Sequence, residues 1–252
     1  MKYYKEIAEK EVFNTDFVAG LTHKKSLAIA IISNYRKKGY VRKVKHNLYA
    51  TVSLENGGLI ASKFIIACSI NETAFVSHHS AFEYYGYYNQ VYNTVHVSSL
   101  NRFIPFEFDG FEFQYVRSDT DDQVDFLRGV KVTSIERTIV DSIDDIDDIA
   151  GIEELLKCIG MVPEVDETLV LDYLNRRSSK LLYKKTGYLL SHFQTVLRLS
   201  DRFFETCLVK GQNVVGYFSQ SDKENLVYVH KWGLYAYADL MSHAGGRDQN
   251  HV

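Results

Sequence analysis

Two adjacent histidines, His78-His79, and a carboxylate run, Asp144-Asp145-Ile146-Asp147-Asp148, are the residues here whose types could hold a metal ion. A bound ion would activate water for hydrolysis, and the acidic run would suit a Mg²⁺-dependent nuclease. Spacing argues against both. Adjacent side chains on a helix point about 100° apart, and no Cys or carboxylate stands at ligand spacing from the histidine pair. The acidic run lacks the Asp-x-Asp-x-Asp-Gly spacing of a calcium loop, and it brings carboxylates from one stretch only. It reads as a solvated loop between helices. Cys68, Cys158 and Cys207 are odd in number, far apart and set in apolar stretches, so they are expected to be buried small hydrophobes. No nucleophile elbow, P-loop, HExxH or GxGxxG occurs. The expectation is a protein that is not an enzyme, with no catalytic residue, no metal and no cofactor.

A second constellation points to a different chemistry. Net charge is −3 over 252 residues, but residues 1–52 hold 11 Lys+Arg against 4 Asp+Glu, and the remainder carries a balance of −10. No acid occurs between Asp16 and Glu55, whereas Lys24, Lys25, Arg36, Lys37, Lys38, Arg42, Lys43 and Lys45 all fall in that gap. A charge run alone is usually a solvated face. Eight bases without a counter-charge, in a chain acidic elsewhere, are the footprint of a polyanion-binding module.

The elements that must position these cations follow from local pattern. Tyr3 to Lys10 is a short helical stretch. Asn14 or Thr15 can cap a brief helix over Asp16 to Ala19, ending at Gly20. After Leu21-Thr22-His23, a longer helix runs from Lys24 to about Lys38, ending at Gly39, with Leu27, Ala28, Ile31, Ile32 and Tyr35 forming one apolar stripe. Ser26, Ile29, Ala30, Ser33 and Lys37 lie opposite, flanked by Lys25 and Arg36. Small and hydroxyl side chains between bases suit a helix whose backbone enters a major groove. Gly39 to Val44 is a strand, Lys45-His46-Asn47 a tight turn and Leu48 to Val52 the return strand. This basic hairpin reads as a wing that lays cations on phosphates. An edge hairpin also carries lysines simply to prevent aggregation, but helix, turn, basic helix and basic hairpin in this order favour DNA. The expected contacts to double-stranded DNA are Lys24, Lys25, Ser26, Ala30, Ser33, Arg36, Lys37, Arg42, Lys43, Lys45 and His46.

Three passages resemble one family. Lys38-Gly39-Tyr40-Val41-Arg42-Lys43 with Asn47-Leu48-Tyr49-Ala50, Val76-Ser77-His78-His79-Ser80-Ala81-Phe82-Glu83-Tyr84-Tyr85-Gly86, and Val132-Thr133-Ser134-Ile135-Glu136-Arg137-Thr138-Ile139-Val140-Asp141 are similar to segments of the AbiEi-type antitoxins. These are transcriptional regulators of type IV abortive-infection toxin–antitoxin systems. Asn47 stands where that family commonly has Gly, and Ile135 where Pro is frequent. A helical segment at Lys184-Lys185-Thr186-Gly187-Tyr188-Leu189-Leu190 also resembles the family, with Ser191 replacing its usual acid. The resemblance implies an autorepressor that binds its own promoter or operator and counteracts a nucleotidyltransferase-like toxin.

Downstream, Ser77 should cap a helix His78 to Tyr85 closed by Gly86. Val91 to Ser98 reads as a strand, and Phe106 to Val116 as a hairpin turning at Asp109-Gly110. Val130 to Thr133 is a strand, after which Ser134 caps a helix Ile135 to Ile143 carrying a structural Arg137–Asp141 pair. Helices are expected at Ile152–Ile159, Glu167–Asn175, Ser179–Phe193 and Asp201–Val209, then a closing pair of strands over Asn213–Phe218 and Leu226–Ala236. The expected fold class is α+β: an N-terminal winged helix-turn-helix domain over residues 1–54 and a larger mixed α/β domain over 55–252. No apolar run approaches the ~20 residues of a membrane span, and charges occupy the position of a signal peptide's apolar stretch. A cytoplasmic protein without a membrane partner is expected. A stand-alone ligand-responsive regulator and a DNA-targeted nuclease are the alternatives.

Overall fold

The computed structural model describes residues 2–149 and 151–243; the segment 244–252, the end of the expected second domain, lies outside the described residues. The chain forms two compact units of mixed α/β structure. The first comprises Met1–Val76 and Tyr92–Val132, the second Ser77–Val91 and Thr133–Val252. The expected segment 1–54 thus lies whole within the first unit, together with residues from the middle of the chain.

The first unit begins with helix α1 (Tyr4–Lys10), strand β1 (Val12–Phe13), helices α2 (Thr15–Thr22) and α3 (Lys25–Lys37), and strands β2 (Val41–Lys45) and β3 (Leu48–Thr51). The strands form an antiparallel sheet in the order β1-β3-β2, with Val12 opposite Ala50 and Arg42 opposite Ala50 on the other side. Asn14 caps α2, its side chain accepting from the Phe17 amide. The helix runs through Gly20 rather than stopping there, and His23 in the left-handed region ends it instead. A single helical glycine costs about 1 kcal/mol, too little to end a helix held by Val18 in the core. Ile7, Phe13, Val18, Ala28, Ile32, Tyr35 and Val41 form that core. Each large apolar side chain so buried contributes roughly 1.5–3 kcal/mol. Tyr4, Tyr35 and Tyr40 pack edge to face across its rim. The expected stripe on α3 is narrower than its pattern: Ala28, Ile32 and Tyr35 are buried and Ile31 half-buried, but Leu27 is 42% exposed.

Helix α4 (Lys63–Cys68), capped by Ser62, follows. A six-stranded sheet completes the unit: β4 (Phe75–Val76), β5 (Thr94–Ser99), β6 (Phe106–Phe108), β7 (Phe111–Arg117), β8 (Val124–Leu127) and β9 (Val130–Thr133), in the order β6-β7-β5-β4-β9-β8. β5 pairs in parallel with β7, and β4 in parallel with β9. The β6–β7 hairpin turns where the Asp-Gly pair predicts, with φ 55° at Asp109 and 80° at Gly110. Strands β4 and β8 were not expected; two and four residues long, they leave no alternating pattern to read.

The second unit contains α5 (His78–Tyr85), α6 (Ile135–Asp144), α7 (Gly151–Met161), α8 (Glu167–Arg177), α9 (Lys180–Ser191), α10 (Gln194–Leu197) and α11 (Asp201–Lys210). Strands β10 (Gly216–Tyr217), β11 (Val227–Val229) and β12 (Leu234–Ala236) close it in the order β10-β12-β11, so the expected closing pair is a three-stranded sheet. Gly187 is required by close approach: a Cβ there would collide with the Trp232 ring and lie 2.8 Å from Cys207 Cβ. Cys158 and Cys207 are buried, Cys68 half-buried, and all three are free thiols.

The buried polar groups correct two expectations. Arg137, 1% exposed, donates to Asp141 at 3.0 Å as the i, i+4 spacing predicts, and Tyr173 donates to the same carboxylate at 2.7 Å. The run after it does turn between two helices, with Asp147 and Asp148 exposed as a solvated loop requires, but three of its carboxylates are engaged rather than free. Asp144 meets Arg177, Asp145 lies 3.1 Å from His78 Nε2, and Asp147 accepts from Ser219, Ser221 and the Gln220 amide. These partners come from α5, α8 and residues 219–221, remote in sequence. The second correction concerns His79. Glu154 and Cys158, which no spacing around the histidines disclosed, are brought to it by the fold. Ser77 likewise makes no capping bond; its hydroxyl lies 2.8 Å from His78 Nδ1.

Candidate nucleic-acid interface

The α2–α3 connection turns at His23 in the left-handed conformation, and Lys24, extended, starts α3 without a side-chain cap. Gly39, with φ 75°, ends the approach to β2. From this frame Lys24, Lys25, Ser26, Ala30, Ser33, Arg36 and Lys37 are all exposed. Lys25 also approaches Asp16 at 3.6 Å, an exposed pair of little strength. Ile29 is 54% exposed on the same side, which adds an apolar element between the hydroxyls of Ser26 and Ser33.

On the hairpin, Arg42, Lys43 and His46 are exposed and Lys45 is half-buried. A register shift between Lys43 and Lys45 interrupts the β2–β3 ladder, and Asn47 takes φ 55° in the turn. Asn47 also accepts from the Thr15 amide at 3.0 Å, tying the hairpin tip to the start of α2. Ser33, Arg36, Lys37, Arg42 and Lys43 line one open groove of about 740 Å³. His46 lines a different cleft, of about 430 Å³, with Lys10, Phe17, Cys68 and Glu72.

Two of the hairpin cations are engaged by the unit's own β6–β7 hairpin and the segment just before it, which the charge count did not reveal. Arg42 donates to Asp109 at 2.6 Å, and its guanidinium stands 4.9 Å from the Phe108 ring centre. Lys45 lies 5.4 Å from the ring centres of both Phe103 and Phe106, and burial pushes its ammonium below the usual lysine range. Glu107 and Asp109 thus face the basic groove. The Asp109-Gly110 turn is visible in the sequence, but its meeting with Arg42 spans 67 residues and leaves no local signal.

No helix among the described residues is long and apolar enough to cross a membrane. No family model matches the chain, and no curated protein matches it. Among solved structures, the crystal structure of the RV2827C protein from Mycobacterium tuberculosis is similar, with a TM-score of 0.68 and 13% identity over 94% of this chain and 90% of that one. At that identity the likeness is one of fold.

Proposed function

We propose that residues 1–54 act as a winged helix-turn-helix that binds duplex promoter DNA, within a chain that serves as antitoxin and autorepressor of a type IV toxin–antitoxin operon. The observation that carries the DNA reading is the succession α2, turn, α3, β2–β3 hairpin. Of the eight bases in its acid-free stretch, all but Lys45 are exposed. In this reading α3 enters the major groove with Ser26, Ala30 and Ser33 toward base edges. Lys24, Lys25, Arg36, Lys37 and Lys43 then lie on phosphates. The autorepressor and antitoxin roles, and the nucleotidyltransferase-like toxin as the protein counteracted, rest on the three passages that resemble the AbiEi-type antitoxins. The reading needs no catalytic group, and we infer a regulator rather than an enzyme.

Titrating promoter DNA from its own operon at several salt concentrations tests the DNA arm. Five cations on phosphates give a slope of log K against log salt of about −4.5. A slope near zero, or binding unaffected by Lys43→Ala with Lys37→Ala, overturns it. The antitoxin arm is tested by co-expression with the toxin encoded beside it, where failure to rescue growth refutes that arm alone. A ligand-responsive regulator is favoured by one observation, the cleft that His46 lines, whose volume of about 430 Å³ falls in the range of small-molecule sites. DNA affinity that changes when cell metabolites are dialysed away would favour it.

A further inference from the structure

Glu154 and Cys158 stand one turn apart on α7, on the face that meets the first turn of α5, where His79 lies. All three side chains are buried. His79 Nε2 is 3.2 Å and Cys158 Sγ 3.6 Å from the same oxygen, Glu154 Oε1, and the three candidate ligand atoms lie within 4.8 Å of one another. That oxygen also accepts from the Asn89 and Gln90 amides at 3.0 and 2.9 Å, whereas Oε2 takes only the Asn89 Nδ2 bond at 3.3 Å among these contacts.

This distribution is lopsided for a carboxylate that merely ties down a loop. One carboxylate oxygen has about two lone-pair sites, so four contacts crowd Oε1, and one ion in place of the histidine and thiol contacts reduces them to three. The histidine nitrogen and the thiol are both metal-ligand atoms. Tetrahedral zinc, with bonds of about 2.0 Å to N and O and 2.3 Å to S, separates neighbouring ligand atoms by about 3.3–3.7 Å. The His79–Glu154 and Cys158–Glu154 separations match those edges within about 0.1 Å.

A fourth position is also present. Beside His79 and Cys158 is a small, partly open cavity of about 10 Å³, lined also by Phe82, Ser142, Ile149 and Leu155. That is room for about one water. The Ser142 hydroxyl, buried on this cavity's wall, has no hydrogen-bond partner among the described residues.

We propose that His79, Glu154 and Cys158 bind one zinc ion, with a water held by Ser142 in the fourth position. On binding, the S–H bond of Cys158 breaks, its proton goes to solvent and its sulfur bonds the metal; no redox change occurs. A carboxylate and a thiolate then balance the charge of the ion, which makes burial of the whole group tolerable. Asn89 and Gln90 hold the carboxylate in place from outside. The ion joins α5 to α7, and Phe82, Ile149 and Leu155 make the wall beside it mostly apolar. The proposal stands independently of the DNA reading.

The test uses the full chain, stripped with a chelator and titrated with Co²⁺, whose bond to a thiolate gives a charge-transfer absorption. One cobalt per chain with that band, displaced by Zn²⁺, lost in Cys158→Ala and kept in Cys207→Ala, is the expected result. No band in the wild type overturns the proposal, as does a band that survives Cys158→Ala. If Cys158→Ala fails to fold, Asn89→Ala replaces it: all three ligands remain, and affinity for Co²⁺ should fall roughly 10- to 100-fold. Unchanged affinity there also overturns the proposal.

Discussion

On the proposed DNA-binding reading, replacing Asp109 by Asn should tighten DNA binding. Arg42 Nη1 lies 2.6 Å from Asp109 Oδ1, with the two side chains 45% and 40% exposed. Such an exposed pair contributes only about 0.2–1 kcal/mol to stability and is weakened by salt, so its loss should leave the fold intact. Asn suits the position, because Asp109 and Gly110 both have positive φ and Asn-Gly is a favoured pair for that turn. The released guanidinium would gain a phosphate, adding about 0.9 to the salt slope. Between 1 M and 0.1 M salt that term amounts to roughly eightfold in affinity. Fluorescence anisotropy on labelled promoter DNA reads both quantities. Arg42→Ala separates release of the cation from simple removal of a negative charge. It should change little in the wild type, where Asp109 already holds Arg42, and should cancel the gain in the Asp109→Asn background. An Asp109→Asn protein with wild-type affinity and slope, or an Arg42→Ala cost equal in both backgrounds, refutes the reasoning.

Three further outcomes follow from the geometry. Ser33→Ala should lose roughly 1–3 kcal/mol on the operator and little on random DNA if Ser33 reads a base; equal losses would make it a backbone contact, and no loss on either would rotate α3 away from the assigned face. Asp141→Asn should destabilise the second unit by about 3–5 kcal/mol in urea unfolding, because Arg137 is left buried without its carboxylate; a change below about 1 kcal/mol would show the charge compensated elsewhere. For Asp147, burial pushes the carboxyl up, but bonds from Ser219, Ser221 and the Gln220 and Ser221 amides outweigh it and take it from 3.8 down to about 2. A depressed carboxylate stabilises the fold above its unfolded pKa and loses that contribution as pH falls, here from about pH 4 to about pH 2. Asp147→Asn should therefore flatten the acid limb of the stability curve in that window, and an unchanged limb would remove Asp147 from it.

Much of the first unit was legible because its signals are local. The Asn14 cap, the 3.6-residue spacing of Ala28, Ile32 and Tyr35 and the Asp109-Gly110 turn each lie within a few residues of what they specify. The Arg137–Asp141 pair belongs with these, since four residues on a helix is one turn. Local pattern misled where tertiary packing outweighed a weak preference: Gly20 did not stop α2, and Leu27 did not join the stripe, because α3 presents a narrower face to the core than its apolar residues allow. What only the tertiary structure decided depends on pairs remote in sequence. Asp109 against Arg42, Asp145 against His78, and Glu154 with Cys158 against His79 are separated by 67, 67 and 75 residues or more, so no spacing rule reaches them. Periodicity dictates which face of an element is buried, but the partner that a polar side chain meets across the fold is set by how whole elements pack, and that is written in no single segment of the chain.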